Sequence, residues 1–299
     1  MTQYVLVIGG TRYFGIRLVE ALLAAGHRVT LANRGQTPDT FGSRVQRLRV
    51  DRRDAAAMAA CFAERPGFDL VYDQMCYSAA DAAIAAQVFG GRVGRYLMTS
   101  TIEVYGGLHG RDPAPYAEDA LDLTDELGSA AAEYGQAKLQ AEAQLYRAGS
   151  LPAASLRLAH VLGGPEDFTQ RLASHVRAVL AAEPLRHAAA AGQSSFIDVA
   201  GVGDFMLWAG QQSFLGPVNV ASEGGLSAPE LRARIGLRLG LPAPCQAQAQ
   251  PGAASFDYAA PHRMSLARAR RLGWEFRPLH AWLDGLIALH AQDLRHAAA

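Results

Sequence analysis

Tyr4-Val-Leu-Val-Ile-Gly9-Gly10-Thr11-Arg12-Tyr13-Phe14-Gly15 decides how this chain folds. An apolar run breaks into glycine, and apolar positions then resume at Ile16, Leu18, Val19, Leu22 and Leu23, at helical spacing. The pattern predicts a strand, a tight turn and a helix. A helix so placed points its free N–H groups at a phosphate. Gly9 permits the sharp turn, Gly10 lets the backbone approach a pyrophosphate, and Gly15 lets the helix pack closely on the strand. Thr11, Arg12, Tyr13 and Phe14 complete this candidate dinucleotide cradle. The common glycine fingerprint has a further glycine where this chain has Arg12.

Beyond that helix, Gly26 is a suitable left-handed cap, and His27 to Ala32 is predicted as the second strand. The end of this strand bears on the cofactor. A chain that prefers NAD usually places an acidic side chain there, on the ribose 2′-hydroxyl. This chain has Asn33-Arg34-Gly35 instead. A guanidinium binds a 2′-phosphate bidentately, so Arg34, helped by Arg12 in the turn, favours NADP(H); NAD stays open. The alternative for Arg34 is a solvated loop residue.

Val45 to Val50 is the third strand, and Asp51 after it either accepts from an adenine amino group or caps the helix that starts near Asp54. An alanine-rich helix covers 54–62, a fourth strand Asp69–Asp73, a helix Asp81–Phe89 and a fifth strand Arg95–Thr101. Strands alternating with helices at this spacing give an α/β fold with a doubly wound parallel sheet.

Composition narrows the function class. The 299 residues are 50% hydrophobic and carry 28 basic against 28 acidic side chains, a net charge of zero. No global field favours nucleic acid or an anionic membrane, so neither is an expected partner. Cys61, Cys76 and Cys245 have no metal or redox spacing, and no metal is expected. No signal peptide is recognisable, and no apolar run reaches the ~18 residues of a membrane span. A cytoplasmic protein with inert, reduced thiols is expected.

A second constellation begins where strand five ends, in Thr99-Ser100-Thr101-Ile102-Glu103-Val104-Tyr105. Further on, Glu133-Tyr134-Gly135-Gln136-Ala137-Lys138 lies in an amphipathic helix that runs to about Tyr146. Tyr134 and Lys138 are one turn apart and share a helix face. A tyrosine near its ordinary pKa of ~10 is a poor acid or base at neutral pH. An ammonium one turn away favours the phenolate. A hydroxyl at the strand end holds a substrate oxygen against that tyrosine.

The glycine turn, the hydroxyl-rich strand end and Tyr-x-x-x-Lys, in this order, resemble the extended short-chain dehydrogenase/reductases, the NAD-dependent epimerase/dehydratase family. The turn Gly-Gly-Thr-Arg-x-Phe-Gly is similar to an atypical branch. Later landmarks are Ser155-Leu-Arg-Leu-Ala-His160-Val-Leu-Gly-Gly164, Ser195-Phe-Ile-Asp198-Val199, Val218-Asn-Val220 and Leu272-Gly-Trp274. The resemblance implies a Rossmann sheet with a smaller C-terminal substrate-binding α/β part. It also implies Tyr134 as acid/base, Lys138 orienting the nicotinamide ribose, and Thr101 on the reacting oxygen, with Ser100 competing for that place or touching cofactor.

Departures from the family narrow the chemistry further. Dehydratases carry Asp-Glu where this chain has Ile102-Glu103, so the proton donor for water removal is missing. Nucleotide-sugar epimerases usually have Asn in place of His160 and an arginine near Ser194. Both losses weaken the case for a nucleoside-diphosphate sugar. The expected division is 1–164 for the dinucleotide domain, completed by about 195–221, with 165–194 and 222–299 binding substrate.

In that half, helices are predicted over Phe168–Leu180, from near Pro229, over Met264–Leu272 and over 280–290, with a frayed end at Arg295. Leu241 to Pro251 is expected to be an extended segment or edge strand. The loop 106–130 offers His109, Arg111 and Tyr116 to a small-molecule substrate. Three functions stay open: an NADP(H)-linked oxidoreductase on a carbonyl or secondary alcohol, an epimerase, or a non-enzymatic binder resembling chloroplast stem-loop RNA-binding proteins. A homodimer is what the family implies.

Overall fold

The computed structural model describes residues 1–123 and 133–297. The chain divides into two compact units, one of Met1–Gly106, Glu118–Leu158 and Val202–Asn219, the other of Gly107–Ala117, Ala159–Gly201 and Val220–Ala299.

The first unit is built on β1 (Tyr4–Ile8), β2 (Arg28–Asn33), β3 (Val45–Arg49), β4 (Leu70–Asp73), β5 (Tyr96–Thr101), β6 (Ala153–Leu158) and β10 (Gly216–Val220). They form one sheet in the order β10-β6-β5-β4-β1-β2-β3, and the pairings from β6 through to β3 are parallel. After β3 the chain returns to the other side of β1. The crevice between β1 and β4 is therefore the topological switch point, where such sheets receive ligands.

Alternation along the strands sorts the two faces. Leu6, Ile8, Val71, Tyr96 and Met98 pack with Met58 and Phe62 of α2 (Ala55–Phe62), Ala82 and Ala85 of α3 (Ala79–Phe89), and Ala141 and Leu145 of α4 (Tyr134–Ala148). On the other face lie α1 (Phe14–Ala24) and α6 (Val199–Gly210), where Gly203 lies against Arg17 and the Tyr72 hydroxyl donates to the Met206 carbonyl. Burying the Leu, Ile, Val, Met and Phe side chains among them supplies about 1.5–3 kcal/mol each, the main drive to this arrangement.

Helix ends follow their capping residues. Asp54 caps α2 by accepting from Ala57 N, and Ser78 with Asp81 forms a capping box on α3. Gly26, with φ 79°, ends α1 as expected.

The second unit packs α5 (Arg171–Leu180), α7 (Ala228–Leu239) and α9 (His280–Ala297) around Val176, Phe196, Leu231, Ile235, Leu283 and Ile287. β7 (His160–Leu162) pairs with β9 (Phe196–Asp198), and β8 (Leu185–Ala188) with β11 (Cys245–Gln248), all parallel. The proline-rich segment is thus an edge strand at β11.

Three boundaries differ from the expected ones. Asp167 accepts from Thr169 N and Oγ1, Gln170 takes a left-handed conformation (φ 53°), and α5 starts only at Arg171, leaving Phe168 outside and exposed. Met264 and Ser265 are held extended against Tyr116, so α8 is only Ala267–Arg271. Arg295 to Ala297 are helical, because Leu294 still packs on the core and carries α9 onward. Among the described residues no helix is long and apolar enough to cross a membrane.

Candidate active site

The glycine turn lies at the C-terminal end of β1. Gly9 and Gly10 have φ of 101° and 83°, and Tyr13, just before α1, has φ 55°. Only glycine adopts the first two without strain. A Cβ on Gly10 would sit 3.0 Å from Val7 Cγ1, and one on Gly15 would meet Gln74 Oε1 at 2.5 Å. These positions form a cradle that any side chain would fill, next to the N-terminus of α1 at the switch point. The residues present therefore fit a dinucleotide's phosphates. Thr11 and Phe14 are partly buried within the turn, while Arg12 is exposed and its Nε donates to Thr37 Oγ1 at 3.1 Å.

At the end of β2, Asn33 Oδ1 accepts from Gly35 N at 2.8 Å and shapes the turn that presents an exposed Arg34. Asp51 follows β3. Arg53 hydrogen-bonds its carboxylate and holds it below the usual carboxylate range, with the Arg34 charge adding to the effect. The capping alternative for Asp51 belongs instead to Asp54.

The reacting end gathers on β5 and α4. Thr99 and Thr101 share one face of β5, and Thr101 Oγ1 accepts from Glu103 N at 3.3 Å. Ser100 turns to the other face, where its hydroxyl donates to Glu142. Glu142 is fully buried and pairs bidentately with Arg157, whose Nη1 donates to the Tyr105 hydroxyl at 2.7 Å. The strand's two-residue period separates the two candidate hydroxyls: Ser100 is held in a buried ionic network with Glu142 of α4, and Thr101 turns to the opposite face of β5.

Tyr134 is the first residue of α4 rather than an interior one, and it is 52% exposed, open enough to meet a substrate. Gly135 allows this helix end to close on the chain after β5; a Cβ there would run into the Glu103 carbonyl oxygen. One turn on, Lys138 is buried, and Nζ donates to the carbonyls of Cys76 and Thr99, each at 2.8 Å. Burial pulls Lys138 down to about 8, against the opposing pull of Asp73, Glu142 and Asp81. Cys76 contributes its carbonyl only. Burial pushes its thiol up to about 12, so it is inert.

Three contributors escape a reading of the sequence. Tyr77 lies with its ring centre 4.1 Å from Lys138 Nζ and 6.3 Å from the Tyr134 ring. Gln74 accepts from Gly10 N at 3.1 Å. Arg52 is buried against Asp73 at 2.6 Å, beneath the β4 end. The available signal was position alone: Gln74 and Tyr77 directly follow a strand at the switch point, and Arg52 follows β3.

The loop candidates are placed less openly. In the second unit, His109 Nε2 bonds the Ala260 carbonyl at 3.0 Å, and Tyr116 is buried with its hydroxyl donating to the Pro261 carbonyl. Arg111 is exposed, and 124–130 of that loop lie outside the described residues. His160 is buried, stacked on Tyr258 and 3.0 Å from its hydroxyl; burial and then Arg171 and His262 push its pKa well down. Ser194 is buried and donates to the His262 carbonyl.

Comparison with known proteins is consistent with this geometry. Over 106 residues the chain is 37% identical to 2′-dehydrokanamycin reductase of Streptomyces kanamyceticus, covering 35% of this chain and 29% of that protein. Over 82 residues it is 34% identical to the chloroplast stem-loop binding protein of 41 kDa b of Arabidopsis thaliana, covering 23% and 21%. These matches span less than a third of either relative. The structure superposes on UDP-glucose 4-epimerase of Thermus thermophilus, solved with NAD, with a TM-score of 0.70 at 20% identity, covering 98% and 99% of the chains. That likeness establishes a shared fold. Residues 5–89 and 77–221 match the family described as NAD dependent epimerase/dehydratase, and the chain belongs to that family.

Proposed function

We propose that this protein is an NADP(H)-dependent oxidoreductase acting on a carbonyl or secondary alcohol. The observation that carries the reading is Lys138 tied to the Thr99 carbonyl, which fixes the α4 turn bearing Tyr134 against the strand end bearing Thr101. The bound nicotinamide supplies or accepts the hydride. Thr101 Oγ1 donates to the substrate oxygen, and the Tyr134 hydroxyl delivers the proton to that oxygen in reduction and removes it in oxidation. Lys138 favours the phenolate electrostatically. Gly9, Gly10 and the turn to Gly15 hold the pyrophosphate, and Arg12 and Arg34 receive the 2′-phosphate. The similarity to a reductase of a dehydro-aminoglycoside supports a ketone substrate that is not a nucleotide sugar. Tyr134→Phe tests this: turnover should disappear while NADPH binding persists, and retained turnover refutes it.

Epimerisation is the second reading, supported by the family and by the epimerase with the shared fold. It uses the same three side chains, with hydride returned to the other face of the oxidised carbon. Tightly held, non-exchanging oxidised cofactor in the purified protein favours it. A stem-loop RNA-binding role has the shorter of the two relative matches behind it, and a chain of zero net charge offers no general attraction to RNA.

A further inference from the structure

Gln74-Met75-Cys76-Tyr77 leaves β4 at the switch point and is tied down at every residue. Gln74 N donates to the Ile8 carbonyl, Met75 N to Asp73 Oδ1 at 2.9 Å, and Tyr77 N to Asp81 Oδ2 at 2.9 Å. The Cys76 carbonyl accepts from Lys138 Nζ. The side chains nevertheless alternate. Cys76 is buried, whereas Met75 is 39% exposed and Tyr77 42%. A backbone held this firmly that leaves two neighbouring apolar side chains in water is pre-formed for contact with a ligand.

Those two side chains mark the ends of a short wall. Met75 Cγ lies 3.2 Å from where a Cβ on Gly9 would stand, so its thioether arm rests against the glycine turn. Tyr77 stands at the other end, beside Tyr134 and against Lys138. The wall therefore joins the phosphate cradle to the reacting end. In the sheet order β5-β4-β1-β2, a ligand that reaches from Arg34 after β2 to Thr101 at the end of β5 must pass over β1 and β4. Met75 is the exposed side chain at the end of β4. Its flexible, polarizable thioether suits the uneven apolar edge of a ribose.

We propose that Met75 is a cofactor-binding residue that packs on the nicotinamide riboside half of the dinucleotide. This rests on the proposed dinucleotide site. It adds an apolar grip on the uncharged end of the cofactor to the polar contacts that hold the phosphates.

Hydrogen peroxide converts accessible methionine to the sulfoxide, and peptide mapping by mass spectrometry reads each position. Of the six methionines, Met58, Met98, Met206 and Met264 are buried, so Met1 and Met75 are the two that the oxidant reaches. Saturating NADP or NAD should slow oxidation of Met75 by about fivefold or more and leave Met1 unchanged. The adenosine half alone, as adenosine 2′,5′-bisphosphate or AMP, should protect neither. In calorimetry, Met75→Ala should weaken binding of the dinucleotide about fivefold, the effect of part of one methionine's apolar surface. Met75→Leu should stay within about twofold of wild type, and the adenosine half should bind all three chains alike. Undiminished oxidation of Met75 under saturating dinucleotide overturns the proposal. So does equal protection by the adenosine half, or an equal loss of both ligands in Met75→Ala. If the wild-type chain binds neither dinucleotide, the dinucleotide reading falls as well; binding without protection removes only the role of Met75. The oxidation measurement uses the wild-type chain and stands whether or not the variants fold.

Discussion

The Lys138 ammonium faces the Tyr77 ring at 4.1 Å from its centre while donating to the carbonyls of Cys76 and Thr99. Two of its N–H directions are thus fixed by backbone, and an aromatic face lies over the charge. The lysine ties together the loop after β4, the strand β5 and the helix α4. Its protonation state depends on that ring, because a desolvated cation–π contact contributes about 2 kcal/mol to the charged form.

Tyr77→Phe keeps the ring and should leave the pH–rate profile unchanged. Tyr77→Leu removes the π face and disfavours the ammonium, so Lys138 should titrate lower than its value of about 8. The expected result is an alkaline loss of kcat that sets in at lower pH, with about a fourfold decrease at about pH 7. Superimposable profiles for both variants would show that the ring does not act on Lys138.

Glu142 and Arg157 form a fully buried pair that also receives the Ser100 hydroxyl. Glu142→Ala leaves an uncompensated charge and should lower the unfolding free energy by about 3–5 kcal/mol in urea titrations. Glu142→Leu combined with Arg157→Met should regain most of that loss. A single variant as stable as wild type would mean that the pair is not buried as described.

Histidines set the acid limit of the second unit. Burial, then His109, pulls His262 from 6.5 to about 4, and His160 is pushed down in the same direction. The unfolded chain binds protons there that the folded chain refuses, so stability is full above about pH 6.5 and falls as pH drops toward 4. A depression of about 2.5 units corresponds to about 3 kcal/mol for His262. Thermal melts should be level near about pH 7, where neither these histidines nor Lys138 titrates, and decline below about pH 6.5, less steeply in His262→Asn. A decline equally steep in that variant would contradict the assignment.

Gly135→Ala places a methyl group against the Glu103 carbonyl. The start of α4 must then shift, costing about 1–3 kcal/mol of stability and displacing Tyr134. Turnover should fall much more than affinity for NADPH. Equal losses in both would place the effect outside the reacting end.

Much of the first unit was legible because its strands and helices are long and their periods distinct. Tyr4 to Gly15 announced strand, turn and helix, and Tyr134 with Lys138 announced a shared helix face. The pairing of Ser100 with Glu142 was not legible, since two adjacent hydroxyls look alike until the strand's alternation is set against a particular neighbour. Gln74 and Tyr77 act through contacts with residues more than sixty positions away, which no local pattern encodes. Element ends moved where tertiary contacts overrode propensity, as at Met264 held extended by Tyr116 and at Leu294 packed under the end of α9.

A reductase must exchange its oxidised cofactor for reduced cofactor at every turnover, whereas an epimerase keeps its oxidised cofactor bound between turnovers. Identification of the nucleotide carried by the purified protein, followed by its exchange against added NADPH and NADH, separates the two. Little retained nucleotide is expected, with NADPH binding about tenfold or more tighter than NADH, a preference that Arg34→Ala removes. Tightly held oxidised cofactor that does not exchange would contradict the reductase assignment, and equal affinity for the two reduced cofactors would contradict the preference for NADP(H).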